Sequence, residues 1–270
     1  MQTRSAVRLP PLVPGWPILG NALEIAADPV QFWVETARKY GPAYRVRYPT
    51  ALNGEMTVLA GITANQFASR HGHEVFTTRQ YYQRLTHETG TDNYICALDG
   101  DPHTYFRKVM KPALSREAAA PFVQDMIRLV EAKVTDFPTG KVIPALNFAQ
   151  RLTLDELSLA AAGCPMSDAQ FADLGRFATT FVGSGVGGRP EFLLKMPSYK
   201  RAKNAVHRFL DKMLAQHEQP PADPGHRADL MDIVAQATYP DGRPFNEADR
   251  WPTPIFPTPT ASSMQAASAH

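Results

Sequence analysis

Prolines and glycines cut this chain at short intervals, and most stretches between the cuts carry apolar residues at helical spacing. There are 24 prolines among 270 residues, many of them where a helix would begin or end. Asp28-Pro29 pairs an N-cap with a proline at the first helical position, and Val30, Trp33, Val34 and Ala37 follow on one face. Gly41-Pro42 ends that segment. AYRVRY, residues 43–48, then alternates Tyr44, Val46 and Tyr48 with Arg45 and Arg47, which is a strand with one wet face. Asn53-Gly54 is a turn signal, and MTVLA, residues 56–60, returns as the partner strand. A small β-hairpin is therefore expected after an extended Pro/Gly-rich lead-in over residues 9–20.

Helices are expected for most of the remainder. Residues 62–71 suggest a short one, and 76–98, rich in Tyr and Thr, read as a long loop. Asp101-Pro102 repeats the cap-and-proline signal ahead of Phe106, Val109 and Met110. Ser115 is placed to cap a helix whose face runs through Ala119, Phe122, Val123, Met126, Ile127, Val130, Val134 and Phe137. Residues 144–162 form another, ended by Gly163. Ser167 and Gln170 fit a capping box ahead of Phe171, Leu174, Phe177, Ala178 and Phe181. The clearest amphipathic stretch is 198–217, which sets Ala202, Ala205, Val206, Phe209, Leu210, Met213 and Leu214 against Lys200, Arg201, Lys203, Arg208 and Lys212. A last short helix covers 228–237. The pattern stops near residue 250. WPTPIFPTPTASSMQAASAH, residues 251–270, has no Asp, Glu, Lys or Arg and four prolines within eight positions, the composition of a disordered tail.

Charge and cysteine usage narrow the function classes. Hydrophobic residues make up 44%, enough for a sizeable core, while the formal net charge is only +2, which gives no case for nucleic-acid binding. Cys96 and Cys164 are too few for a disulfide framework. The N-terminus has no unbroken apolar run before its prolines, so neither a signal peptide nor a membrane anchor is expected, and the chain reads as cytoplasmic.

The sharpest local constellation is DGDPHTYFRKVMKPALS, residues 99–115. His103, Arg107 and Lys111 are four residues apart and share one helix face, while Phe106, Val109, Met110 and Leu114 line another. An Arg fork with a His donor one turn away, beside an apolar face, suits a bound carboxylate. The plainer reading is a solvated basic face, and spacing alone favours it.

The order of elements resembles that of the cytochrome P450 family. The Pro-rich lead-in, the DP-x-x-F-W helix ending KYGP, the AYRVRY strand and the HGHEVFTTR stretch match family patterns over roughly residues 9–250. DGDPHTYFRKVMKPALS resembles the family's C-helix signature, in which His and Arg at this spacing bind a haem propionate. The resemblance therefore implies haem as cofactor, with His103 and Arg107 as propionate contacts. It implies that Tyr81 and Tyr82 lie in the segment before the C-helix that covers the haem, and that 168–217 are the two lid helices. The fold it implies is mainly α with a small N-terminal β-hairpin, an incomplete cytochrome P450 fold. Residues 1–250 would be the N-terminal part of that domain and 251–270 a tail. The function it implies is haem-thiolate monooxygenation of a lipophilic substrate, with O2 and electrons from a redox partner.

The departures from the family are as informative. No A-G-x-x-T run and no F-x-x-G-x-x-x-C loop occurs in these residues, and the family's E-x-x-R pair is not assigned. Neither NYICALDG around Cys96 nor AAGCPMSD around Cys164 is the Gly-rich loop that presents a thiolate to iron. No catalytic residue and no metal ligand is assigned, and the chain by itself is expected to be inactive. The alternative is a non-catalytic or vestigial all-α binding protein without haem chemistry. GSGVGG, residues 183–188, satisfies G-x-G-x-x-G, but a helical pattern precedes it and no acid follows about 20 residues on, so a flexible interhelical loop is expected. His71 and His73 have no further ligand at metal spacing and are expected at the surface. The amphipathic faces of 119–137, 168–181 and 198–214 are expected to lack part of their cover, which makes the chain prone to associate.

Overall fold

A computed structural model describes residues 9–48, 54–140, 142–185, 189–218, 226 and 228–250. The low-complexity stretch 251–270 lies outside the described residues, as does Asn53 of the hairpin turn. The chain falls into two compact units, Met1–Thr77 and Thr78–His270.

The first unit is built on the hairpin. β1 (Ala43–Arg47) and β2 (Glu55–Leu59) pair antiparallel with Tyr44 opposite Val58 and Val46 opposite Met56. The period-2 pattern works as expected. Tyr44 and Val46 are buried with Val13, and Phe32, Trp33, Ala37 and Tyr40 pack on that cluster. The last four come from α2 (Pro29–Tyr40), capped by the Asp28 carboxylate accepting from the Gln31 N–H at 2.9 Å, with Pro29 in the first turn. A short α1 (Ala22–Ala27) precedes it. The lead-in is more than extended: the Val13 N–H donates to the Arg45 carbonyl and the Arg45 N–H to the Pro11 carbonyl, each at 2.8 Å, so it docks parallel to β1. Buried Asn21 clamps the same region, donating to the Pro14 carbonyl and accepting from the Arg47 N–H. α3 (Ile62–Val75) continues one turn beyond the 62–71 expected. His71 and His73 are exposed on it beside Glu74.

The second unit is helical. Where a long loop is expected over 76–98, α4 (Arg79–Thr89) forms, followed by a 3-10 turn at Ile95–Ala97. The stretch is too polar to carry a full apolar stripe; only Tyr82, Leu85 and Thr89, spaced three and four apart, turn inward. α5 (Gly100–Met110) begins a residue before Asp101, so Asp101 sits in the first turn and Asp99 takes the N-cap position. The long helix expected after Ser115 is broken. Ser115 does cap a turn, α6 (Arg116–Ala119), but Pro121 forces a 3-10 turn over Ala120–Phe122 before α7 (Val123–Thr135) starts. The reason is that proline lacks the N–H that would bond back to residue 117.

Two long helices make the core. α9 (Asp168–Gly185) begins at the expected box, with the Ser167 N–H donating to Gln170 Oε1 at 2.8 Å and the Gln170 N–H to Ser167 Oγ at 3.3 Å. α10 (Pro197–His217) packs along it through Phe177, which stacks on Tyr199 at 5.8 Å between ring centroids. Leu174, Phe177, Ala178 and Phe181 of α9 and Ala202, Val206, Leu210 and Met213 of α10 are all buried, so these two faces cover each other rather than standing open. α8 (Ala145–Ala162) ends at Gly163, whose φ of 68° is the left-handed cap that glycine adopts at little cost. It is tied to α7 by Lys133 on the buried Asp155 and to α9 by Arg151, which bonds both Asp155 and Asp168. The glycine run is not the expected flexible loop in its described part. Gly183 to Gly185 complete α9, and Gly185 is buried where a Cβ would stand 2.0 Å from Leu85 Cδ2 of α4. α11 (Leu230–Ala235) and the single turn α12 (Glu247–Arg250) close the unit. Among the described residues no helix is long and apolar enough to cross a membrane.

Candidate functional site

α5 presents the sequence-predicted pair. Phe106 and Met110 anchor it in the core, Phe106 stacking on Phe245 with ring centroids 5.0 Å apart. Tyr105 donates its hydroxyl proton to the Thr238 carbonyl at 2.5 Å and fixes the helix from another side. The 3.6-residue period then leaves His103, Arg107 and Lys111 on a remaining edge, where they line an open groove of about 640 Å³ with Ile95, Met110 and Leu114. His103 is half-buried and Arg107 exposed. Neither has a hydrogen bond or ion pair among the described residues. The groove therefore offers a guanidinium fork and an imidazole against an apolar back wall, with no anion already occupying the fork.

The start of the helix is organised by Asp99. Its carboxylate accepts from the Thr78 N–H, the Thr78 hydroxyl and the Arg79 N–H at 2.9–3.3 Å, so it caps α4 while standing at the head of α5. Burial pushes this carboxyl up, but the Thr78 and Arg79 donors and the nearby His103 outweigh it and hold it below the usual carboxylate range. One aspartate thus couples the entry of α4 to the residue just before the groove. Sequence reasoning assigned the cap to Asp101 and missed Asp99. The signal that could find it is Thr78-Arg79 at the head of a polar helical stretch that needs an outside acceptor.

Tyr81 and Tyr82 lie on α4 rather than in a loop. Tyr82 packs against the core, and its ring meets that of Tyr81 edge to face at 5.1 Å.

Both cysteine thiols lie in surroundings that favour the protonated form. Burial pushes the Cys96 thiol up, against a hydrogen bond with Tyr94. Burial, with the Asp229 carboxylate, does the same for Cys164 at the exposed end of α8. Neither cysteine lies in the Gly-rich loop that presents a thiolate to iron. Among the described residues, the α5 edge offers donors of the kind that suit a carboxylate.

The class is settled by the sequence pattern of the Cytochrome P450 family, which matches residues 10–249. The chain belongs to that family. It is 27% identical over 241 residues to the lanosterol 14-alpha demethylase of Cunninghamella elegans, covering 84% of this chain and 44% of that protein. It is 25% identical over 240 residues to abscisic acid 8'-hydroxylase 3 of Oryza sativa subsp. indica, covering 86% and 45%. The chain therefore spans less than half the length of these relatives. Its fold is similar to that of the cyanobacterial CYP120A1 with retinoic acid bound, with a TM-score of 0.71 at 18% identity, over 95% of this chain and 57% of that one.

Proposed function

We propose that residues 1–250 form the N-terminal part of a haem-thiolate monooxygenase domain, and that His103 and Arg107 hold a haem carboxylate. The observation that carries this reading is the α5 edge itself: two cationic or proton-donating side chains one turn apart, neither hydrogen-bonded nor ion-paired through its side chain among the described residues, over an apolar wall. Arg107 supplies a planar pair of N–H donors matched to a carboxylate, and His103 adds one donor from the half-buried side. When bound with an axial thiolate, haem supplies the oxygen-activating chemistry of the family. The substrate would be a lipophilic small molecule, and electrons would come from a redox partner. The F-x-x-G-x-x-x-C loop that would present a thiolate is absent from these 270 residues, so on this reading the chain alone would not oxygenate. The same absence leaves a second reading, a non-catalytic all-α binding protein without haem chemistry.

The test is a Soret-band titration of the chain with haem and with its dimethyl ester, which keeps the ring but removes the carboxylates. Hydrogen bonds to charged groups contribute about 1.5–3 kcal/mol, so the free acid should bind about 10–100-fold more tightly than the ester. The His103→Ala/Arg107→Ala double variant should lose that preference. Equal binding of acid and ester by the unaltered chain would overturn the assignment. A carbon-monoxide difference spectrum of thiolate type, lost on substituting Cys96 or Cys164, would overturn the statement that the chain alone lacks the iron ligand.

A further inference from the structure

A second cluster of side chains lies away from α5, where the end of α10 meets the start of α11. His217, in the last turn of α10, faces Asp229 and Asp232, and one donor atom from each lies within 4.8 Å of the others. His217 Nδ1 is 2.7 Å from the Met213 carbonyl oxygen. A carbonyl only accepts, so Nδ1 carries the proton and the ring is held in one orientation. Nε2 then points at Asp229 Oδ2, 3.2 Å away. A carboxylate also only accepts, so a neutral ring would bring two lone pairs face to face. Something positive belongs between them, either a second ring proton or a cation.

The carboxylates are fixed as firmly as the ring. Asp229 and Asp232 form a complete capping box: the Asp232 N–H donates to Asp229 Oδ1 and the Asp229 N–H to Asp232 Oδ2. His226 Nε2 braces Asp232 Oδ2 at 2.8 Å. This leaves Asp229 Oδ2 and Asp232 Oδ1 as the two oxygens not engaged by backbone. Both aspartates are buried, at 4% and 9% exposure, so their mutual repulsion is poorly screened. The box alone would explain a helix start. It does not explain a histidine with its Nδ1–H already committed aiming its other nitrogen at a buried acid.

We propose that His217 Nε2, Asp229 Oδ2 and Asp232 Oδ1 bind a divalent first-row cation of the zinc type, with His226 bracing Asp232 and water completing the shell. Zinc binds imidazole nitrogen and carboxylate oxygen at about 2.0–2.2 Å, which in a tetrahedron sets neighbouring donors about 3.3 Å apart. The 3.2 Å between His217 and Asp229 matches one such edge. A nitrogen donor beside two oxygens suits zinc, iron or nickel better than calcium and magnesium, whose sites are built from oxygen. The Nδ1–H bond to a backbone carbonyl is the outer-shell contact that orients ligating histidines. Bound there, the cation would clamp the end of α10 to the start of α11.

The experiment is zinc competition against a chromophoric chelator on the full chain at pH 7.5, after dialysis against EDTA. One equivalent should bind, and His217→Gln, shown folded by circular dichroism, should weaken it at least tenfold. His71→Ala/His73→Ala, which removes the exposed pair on α3, should leave it unchanged. Should His217→Gln fail to fold, zinc X-ray absorption on the unaltered chain decides, with one imidazole among oxygen donors expected. Binding that survives in His217→Gln but is lost with His71 and His73 would place the metal at the surface and overturn the proposal. Binding weaker than millimolar would overturn it as well and leave two proton-bridged His–Asp pairs in its place.

Discussion

At the scale of single residues, Asp99 carries consequences that no neighbour in the chain shares. It caps α4 from outside that helix, and losing a carboxylate cap costs about 0.5–2 kcal/mol. Asp99→Ala should therefore lower the urea-unfolding free energy by about 1 kcal/mol, and Asp99→Asn by less, because an amide oxygen still accepts. A different side chain sets the response to acid. Burial and the Lys203 charge pull the His207 imidazole below its usual 6.5, against Asp211 on the same helix, Glu247 of α12 and Glu88 of α4, which push it up. A histidine lowered on folding favours the neutral form in the native state. Its contribution is fully present above 6.5 and is lost as pH falls through the lower folded value. The urea midpoint should fall between pH 7 and pH 5, and His207→Gln should reduce that fall; an unchanged pH slope in the variant would show that His207 has no part in it.

At the scale of elements, close approach replaces side-chain volume where α4 crosses α9. Gly185 admits Leu85, and a Cβ there would stand 2.0 Å from Leu85 Cδ2 and 2.7 Å from Cγ. Gly185→Ala should cost about 1–3 kcal/mol by overpacking, and adding Leu85→Ala should give a double variant more stable than the sum of the two single losses predicts. The sequence made the other elements legible in proportion to how much each advertised itself locally. α2, α8 and α9 have long apolar stripes with Asp28, Gly163, or Ser167 and Gln170 at their ends, α10 has the longest amphipathic stripe, and each forms within a residue or two of expectation. α4 was not legible because its inward face is Tyr82, Leu85 and Thr89 and its cap lies about 20 residues downstream. The break at Pro121 was legible in principle, since a proline interrupts a helical pattern, but the apolar spacing on either side disguised it. Of the candidate site, the His103/Arg107 edge could be read from spacing. The juxtaposition of His217 with Asp229 and Asp232 could not, because His217 and the two aspartates belong to different helices and share no local spacing.

At the scale of the whole molecule, the expectation of uncovered faces divides. α9 and α10 bury theirs against each other. α7 does not: it has no buried residue, and Val123, Ile127 and Val134 are 44%, 43% and 57% exposed. Leu114 and Phe192 are also open, at 54% and 60%. Apolar side chains gathered on one helix face favour association. Size-exclusion chromatography of the purified chain should show species larger than a monomer, and Val123→Lys/Ile127→Lys/Val134→Lys should shift it toward monomer without lowering the unfolding midpoint. A monodisperse monomer for the unaltered chain would mean that the α7 face is tolerated in water.

Asp249 of α12 joins segments that are synthesised far apart in time. Its buried carboxylate accepts from the Thr91 hydroxyl, from Asn93 Nδ2 at 2.9 Å and from the Tyr239 hydroxyl, joining positions as much as 158 residues apart. A ribosome adds about 5–20 residues per second, so Thr91 waits roughly 8–30 s for its partner to be synthesised. During that interval the segment after α4 has its donors exposed and its neighbouring apolar side chains without their final cover. The nascent chain is most vulnerable to proteases and most in need of chaperones in that window, and the vulnerability ends only when residue 249 has cleared the exit tunnel.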